Sequence, residues 1–350
     1  MINFPERLRS ARKMRGWSLQ ELADHVGIIS KQALSKYEQG LMKPEEDTLF
    51  ALTKALGVKA DYFLKPQRVI LGPIEFRKKA SLKVKESASL AEQIRDYLER
   101  YLEIEELLQV KSEFVNPLGG KVEVSTYEEV EEAAAKVLNA WQLGINPIPN
   151  VIEVLEKNGI CVLTISGPAS FDGLATMVGQ LPVIVLNKEY SADRRRFTAL
   201  HELGHLLLEI NLPDEKECEK YCHRFASAML LPKEVALRQL GNVRSNISLG
   251  EFLSIKKQYG ISVQAVMRRA FDLGIINKNY YQFLCIKTAP NRKEESFIKF
   301  NFAGESDHSY RFDQLLMRLV SENIVTESKA AFLGGMSVSD LREKLDPVAG

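Results

Sequence analysis

The stretch RRRFTALHELGHLLL, residues 194–208, holds His201, Glu202 and His205 in the spacing H-E-x-x-H. Histidines four residues apart lie on one face of an α-helix, so both imidazoles can reach a single metal ion. Glu202 lies about 100° round the helix from His201, where its carboxylate can act on water at the metal. The stretch therefore predicts a helix that carries a zinc hydrolase site.

The leucines of this stretch decide where the helix lies. Leu200, Leu203, Leu206 and Leu207 form an apolar stripe that is typical of a core helix. Such a helix rarely carries two histidines and a glutamate without a partner for them, and a metal ion is such a partner. The alternative, a surface helix with solvated histidines, fits this stripe poorly.

Composition places the chain among ordinary globular proteins. It has 350 residues, 45% hydrophobic and 27% charged, which is long enough for two or three domains. No run of about 18 apolar residues and no signal-peptide pattern occur, so we expect a cytoplasmic protein that binds no membrane. The four cysteines are too few and too scattered for a disulfide framework. The first 80 residues are basic although the net charge is only +1, which is compatible with nucleic-acid binding.

Residues 1–66 predict a bundle of short helices. Ser18 and Glu21 have capping-box spacing at the start of the second helix, and Gly27 ends it. Ser30 can cap a third helix over residues 31–39. Two short helices joined by a glycine-containing turn are the helix-turn-helix pattern of DNA-binding proteins.

The segments ERLRSARKMRGWSLQELADHVG, SKQALSKYEQG and LFALTKALGVKADYFL resemble the Xre/phage-repressor family of DNA-binding domains. The resemblance implies a homodimer that binds a double-stranded DNA operator through its third helix. The implied DNA-binding residues are Lys31, Gln32, Ser35 and Lys36. Glutamine can pair with adenine, lysine can reach guanine or phosphate, and serine suits either. The pair Ile28-Ile29 makes the turn before the third helix about one residue longer than in the common pattern. The alternative to a DNA-binding domain is a helical protein-interaction domain.

The remaining chain predicts a multidomain protein. Residues 67–122 read as a helical linker, with a long charged helix between residues 68 and 114. Residues 123–287 predict an α+β domain, in which two helices precede a small sheet and the metal helix. Residues 288–350 predict a helical C-terminal region with a regulatory or dimerisation role. The fold is thus an all-α helix-turn-helix domain, an α+β domain and a helical end.

Zinc bound by two histidines lacks a third protein ligand. The helix expected over residues 217–231 offers Glu219, and His223 shares its face, where it can hydrogen-bond a ligand or orient the active-site water. Asp214, Glu215 and Glu217 are alternatives that helical periodicity does not exclude.

A second resemblance covers residues 171–232. FDGLA, PVIVLN, RRRFTALHELGHLLL and E-x-x-x-H-R-F-A-S-A-M-L-L-P are similar to the ImmA/IrrE family of zinc metallopeptidases. The resemblance implies that the α+β domain over residues 123–287 is a zincin-like metallopeptidase domain. It also implies that His201, His205 and Glu219 bind Zn²⁺ and that Glu202 is the catalytic base. Family members usually have Asn or Asp where this chain has His223.

Together the two resemblances imply a DNA-binding transcription regulator with a zinc metallopeptidase domain. Its substrate would be a repressor protein or the chain's own link over residues 64–114. An extended substrate is expected to pair with an edge of the small sheet near residues 183–186. The alternatives are a non-enzymatic regulator whose zinc domain senses a ligand or holds a partner, and the antitoxin half of a toxin–antitoxin pair.

Overall fold

The computed structural model describes residues 3–71, 82–289, 302, 307 and 309–346. By their contacts they fall into two units. The first unit comprises Met1–Lys111, Gly167–Phe171 and Tyr310–Gly350, and the second comprises Ser112–Ser166 and Asp172–Ser309. No described helix has the length and apolar character needed to cross a membrane.

The first unit begins with four helices and a closing 3₁₀ turn. Ser18 caps the second helix by accepting a hydrogen bond from the Glu21 N–H, and the Glu21 carboxylate accepts one from the Ser18 N–H, as the capping-box spacing predicts. Gly27 ends that helix in the left-handed conformation. The elements are α1 (Phe4–Met14), α2 (Leu19–Val26), α3 (Lys31–Glu38), α4 (Glu46–Leu56) and the 3₁₀ turn Ala60–Leu64. Their core is built from Leu8, Leu22, Leu34, Leu52, Leu56 and Phe63.

The charged helix expected between residues 68 and 114 is α5, Val84–Leu108, and it is shorter than expected. Gln109 ends it because this residue adopts a left-handed φ of 53°. The Val110 N–H then donates to the Glu105 carbonyl over 3.0 Å, which closes the last turn. Residues 72–81 of the expected linker lie outside the described residues.

The first unit is completed by three helices from the end of the chain. They are α14 (Arg311–Ser321), α15 (Glu327–Gly334) and α16 (Val338–Leu345). Phe312 stacks on Tyr97 of α5 at a centroid distance of 5.0 Å. Phe332 of α15 packs against the core of the helix-turn-helix bundle. Most residues between 290 and 308 of the expected C-terminal region lie outside the described residues.

The second unit contains a small mixed sheet behind a layer of helices. Its strands are β2 (Cys161–Ile165), β3 (Gly173–Val178) and β4 (Leu181–Asn187), and β1 (Val122–Glu123) forms a separate parallel pair with β5 (Leu208–Glu209). Its helices are α6 (Tyr127–Ala140), α7 (Val151–Lys157), α8 (Ala192–Leu207), α9 (Glu215–Leu230), α10 (Lys233–Leu240), α11 (Leu249–Tyr259), α12 (Val263–Asp272) and α13 (Lys278–Thr288).

The sheet order overturns the expected position of the substrate edge. The order is β2-β4-β3, so β4 is the central strand and the expectation that a peptide pairs near residues 183–186 is wrong. Val183 already lies opposite Cys161 of the parallel strand β2 and Thr176 of the antiparallel strand β3. The hairpin was visible in the sequence, but the insertion of β4 beside β2 is a non-local pairing that turn residues do not reveal. Among the described strands of this sheet, β2 and β3 are both edge strands, and each pairs with β4 alone.

Candidate metal centre and nucleic-acid interface

Helix α8 positions the H-E-x-x-H residues inside the second unit. Its leucine stripe is buried, with Leu200 at 1% exposure and both Leu203 and Leu207 at 0%. This burial fixes the rotation of the helix and directs His201 and Glu202 inward, where they are 6% and 2% exposed. Two adjacent polar side chains are therefore held away from bulk water, as expected for a functional pair.

Helix α9 crosses α8 close to the histidines. At Gly204 an added Cβ would lie 3.4 Å from both the Cys222 Cα atom and the Phe225 ring. These are ordinary van der Waals distances, so only a side chain larger than a methyl group would press the helices apart. This crossing brings Glu219 of α9 to the two histidines of α8.

Two nitrogen atoms and two carboxylate oxygens from three residues converge at this crossing. The Nε2 atoms of His201 and His205 lie 3.1 Å apart. Glu219 places Oε2 3.0 Å from His201 Nε2 and Oε1 3.5 Å from His205 Nε2. Ligand atoms of a tetrahedral zinc site, at about 2.0–2.2 Å from the metal, lie about 3.3–3.6 Å from one another. The three separations are close to that size, so the donor set fits one zinc ion.

The charge on Glu219 also suits a metal ligand. Hydrogen bonds from His201 and then His205 hold the pKa of its carboxyl well below the ordinary value, so it is ionised at neutral pH. The alternatives from the sequence lie elsewhere on the helix. Glu217 pairs with Lys220, Asp214 caps α9 through the Lys216 N–H, and Glu215 is exposed.

His223 lies beside the donor set, four residues after Glu219. Its Nδ1 lies 2.7 Å from the Glu219 carbonyl oxygen. Donation to this carbonyl places the ring hydrogen on Nδ1 and leaves a lone pair on Nε2. One ligand atom from each of His201, Glu219 and His223 lies within 4.8 Å of the others.

The surroundings of His223 keep it neutral. Its ring stacks on Phe197 at 5.8 Å and lies 4.4 Å from the His201 ring. Although part of the ring reaches solvent, desolvation by the packed atoms around it lowers its pKa to about 4, and the charge of His201 acts in the same direction. At pH 7 His223 is therefore an uncharged imidazole at the edge of the site.

Two features behind the site were not anticipated from the sequence. Cys222 places Sγ 3.5 Å from Nδ1 of His205, so a buried thiol contacts the second histidine. Cys222 lies three residues after Glu219, on a neighbouring position of α9, and this spacing is the sequence signal from which the contact could have been found. His201 Nδ1, in contrast, is buried and has no hydrogen-bond partner among the described residues.

A buried charge cluster anchors α9. Glu131 of α6 accepts hydrogen bonds from Arg224 of α9 and from both terminal nitrogens of Arg269 of α12. Arg269 is fully buried and also donates to the Leu231 carbonyl over 3.1 Å. One carboxylate thus joins three helices and holds the helix that carries Glu219.

Helix α3 presents the residues implicated in DNA binding on one side. Its inner face is buried through Leu34, Tyr37 and Glu38, and Glu38 pairs with Arg12 of α1 over 2.6 Å. The implicated residues lie outside this face: Lys31, Gln32 and Lys36 are exposed and Ser35 is half-buried. Gln39 donates to the Ser35 hydroxyl over 3.1 Å, so Ser35 is partly engaged within α3.

Comparison with known proteins agrees with both regions. Residues 8–63 match the family model described as Helix-turn-helix, and residues 156–271 match the model described as IrrE N-terminal-like domain. Over 62 residues the chain is 44% identical to the SPbeta prophage-derived uncharacterized HTH-type transcriptional regulator YonR of Bacillus subtilis (strain 168). Over 62 residues it is 37% identical to the uncharacterized HTH-type transcriptional regulator YqaE of the same organism.

These alignments are partial. Each covers 18% of this chain and 56% or 53% of the relative, so the chain spans about half the length of the curated relatives it matches. The two family matches do not overlap, and each contains one of the two sites described above. The chain therefore carries an Xre-like helix-turn-helix domain at its N-terminus and, further along, a domain of the IrrE N-terminal-like peptidase family.

Proposed function

We propose that this protein is a DNA-binding transcription regulator whose IrrE-like domain is a zinc metallopeptidase. The observation that carries the proposal is the convergence of His201, His205 and Glu219 at separations of 3.0–3.5 Å. Two neutral imidazoles and one carboxylate are a ligand set of catalytic rather than structural zinc sites, because they leave one coordination position open.

The chain's own residues then have distinct roles. Bound zinc would polarise the scissile carbonyl and make water acidic enough to react at neutral pH. Glu202 accepts the proton of the attacking water and returns it to the leaving amine, which is the role of a general base and acid. Its burial at 2% exposure keeps competing water away from that transfer.

Strand β3 is the edge on which we propose that the substrate backbone lies. It runs directly against the metal helix, because a Cβ added at Gly173 would lie 2.7 Å from the Thr198 side chain. An extended peptide pairs with an unpaired strand edge through its main chain. A repressor with an exposed, extended segment is therefore the class of substrate that we propose, rather than the chain's own link over residues 64–114, most of whose described residues form helix α5.

A cleavage assay tests this proposal. The purified full-length chain, loaded with zinc, is incubated alone and with repressors encoded beside its gene. We expect discrete fragments that disappear with a chelator and return when zinc is restored. The peptidase proposal would lose its support if the zinc-loaded protein cleaved neither a repressor nor itself under any of these conditions.

We expect Glu219→Gln to weaken zinc binding by more than about 100-fold, because loss of a group that only supports a ligand already costs about 10–100-fold. Competition with a chromophoric chelator measures the affinity. Glu217→Gln is the matched control, since Glu217 lies on the same helix but pairs with Lys220. Equal zinc affinity of the two variants would remove Glu219 from the ligand set.

For the DNA-binding half, we propose that a homodimer binds an inverted repeat through α3. We expect Gln32→Ala to weaken binding to the specific operator by about 1–3 kcal/mol, the cost of one lost base contact. Fluorescence anisotropy with specific and scrambled duplexes measures this, and Gln239→Ala in the second unit is the control. An equal loss on both duplexes would instead assign Gln32 to a phosphate contact.

A further inference from the structure

A cavity of about 660 Å³ lies within the first unit. Three parts of the chain line it. The ends of α1 and α4 contribute one wall, α5 contributes the second, and α15 with the start of α16 contributes the third. Its volume is in the range that holds a small organic molecule, about 300–1,000 Å³.

Most charges in this cavity are already paired. Arg7 pairs with Glu99 over 2.6 Å, and Lys65 pairs with Glu103 over 2.6 Å. Arg100 pairs with Asp96 over 3.0 Å. These pairs cancel one another. Arg68 of the lining pairs with Glu106 over 2.7 Å, and the Asp340 carboxylate accepts a hydrogen bond from the Ser337 N–H.

Two further cations in the lining have no carboxylate partner among the described residues, namely Arg15 and Lys59. The Arg15 Nε atom donates to the Leu56 carbonyl over 2.9 Å. Its Nη2 atom lies close to Gly57, where an added Cβ would meet it at 2.1 Å. The side chain is thus anchored at one nitrogen, and its terminal N–H groups remain available. A guanidinium held in this way suits a carboxylate or a phosphate.

Lys59 lies at the wall formed by α15. Its Nζ lies 5.8 Å from the centre of the Phe332 ring and 3.5 Å from the Ser328 carbonyl oxygen. The Nζ atoms of Lys65 and Lys329 lie 4.3 Å and 5.5 Å from the centre of the same ring. Both of these lysines pair with the one carboxylate of Glu103. Three ammonium groups and one carboxylate around one ring leave a local positive excess.

The rest of the lining is apolar in part, through Met14, Leu56, Val58, Phe332 and Met336. We propose that this cavity binds a small organic anion, a molecule with a phosphate or carboxylate group and an apolar body. The anionic group lies between Arg15 and Lys59, and the apolar body lies along the methionine and phenylalanine side chains. Because the lining joins the helix-turn-helix bundle to α5 and α15, the anion acts as an effector of the DNA-binding unit.

The fluorescent organic anion 1-anilinonaphthalene-8-sulfonate is the probe for this site, used with the full-length chain. We expect one saturable site per chain. The double variant Arg15→Gln/Lys59→Gln should weaken binding at least tenfold, whereas Lys54→Gln, an exposed lysine of α4 outside the cavity, should not. Met336→Trp fills the cavity without changing its charge and should block binding at an unchanged melting temperature. The proposal would be overturned if the double variant and Met336→Trp both bound the probe with wild-type affinity.

Displacement then identifies the source of the anionic group. If adenosine monophosphate displaces the probe and decanoate does not, the ligand is an organic phosphate. If decanoate displaces the probe and adenosine monophosphate does not, the ligand is a carboxylate. Failure of both to displace it would overturn the assignment of an organic-anion site. These measurements need neither zinc nor DNA, so their outcome is independent of the function proposed above. For the effector role, we expect saturation with the displacing anion to change operator affinity by about 5–150-fold, and an unchanged affinity would contradict that role.

Discussion

Glu202→Gln is expected to lower the rate of substrate cleavage by about 10²–10⁴-fold, the usual contribution of a general base. The reason is positional. Glu202 follows His201 directly on α8, while the converging ligand atoms belong to His201, His205 and Glu219. Glutamine has nearly the same shape but cannot accept the proton, so chemistry is lost and the metal is retained.

The measurement pairs initial cleavage rates with zinc content by elemental analysis. Glu215→Gln, an exposed residue at the start of α9, is the control and should cleave at the wild-type rate. A Glu202→Gln variant that keeps its zinc and still cleaves at the full rate would show that another group is the base. Loss of zinc together with activity would instead place Glu202 in the metal-binding set.

Glu131→Gln is expected to destabilise the second unit by about 3–5 kcal/mol, the cost of leaving a buried charge without its partner. The fully buried Arg269 loses its counter-charge, and Arg224 keeps only its longer pair with Asp272 at 3.5 Å. Urea unfolding followed by circular dichroism measures the free energy of unfolding. Glu132→Gln, the exposed neighbour on α6, should change it little.

The same cluster predicts a dependence on pH. Burial raises the pKa of Glu131, but hydrogen bonds and charges from Arg269 and Arg224 outweigh burial and lower it below the ordinary value of 4.5. A carboxyl with a lowered pKa stabilises the folded state fully above its unfolded value, and the gain is lost as the pH falls through the folded value. We therefore expect the difference in stability between wild type and Glu131→Gln to shrink below about pH 4.5. A difference that stays constant down to pH 3 would contradict this account.

The parts of the site that depend on local spacing were predictable. His201 and His205 are four residues apart and therefore lie on one face of α8. Glu219 and His223 have the same spacing and lie on one face of α9. The crossing that brings these helices together depends on packing between segments that are distant in sequence. For that reason the sequence left Asp214, Glu215 and Glu217 open as ligands, and only the three-dimensional contacts separate them from Glu219.

The fold shows the same division between local and non-local information. Ser18, Asn150 and Ser337 cap helices where their spacing predicts caps, because a cap needs only its own first turn. Strand β4 was expected at an edge and is central, because its partner β2 comes from before the hairpin. The buried charges around Glu131 were also not foreseen, since the three residues are far apart in sequence and carry no local pattern.

The order of the chain has a consequence for biosynthesis. The first unit uses residues from both ends of the polypeptide, and the second unit is encoded between them. During translation the helix-turn-helix bundle emerges first, but α14, α15 and α16 reach the ribosome exit only after the entire second unit has been made. Phe312 and Phe332 therefore reach Tyr97 and the bundle core only after the second unit has been synthesised. A chain that stops before residue 310 would keep α3 and lose the cavity wall that α15 provides, so the first unit is completed only after the second has been made.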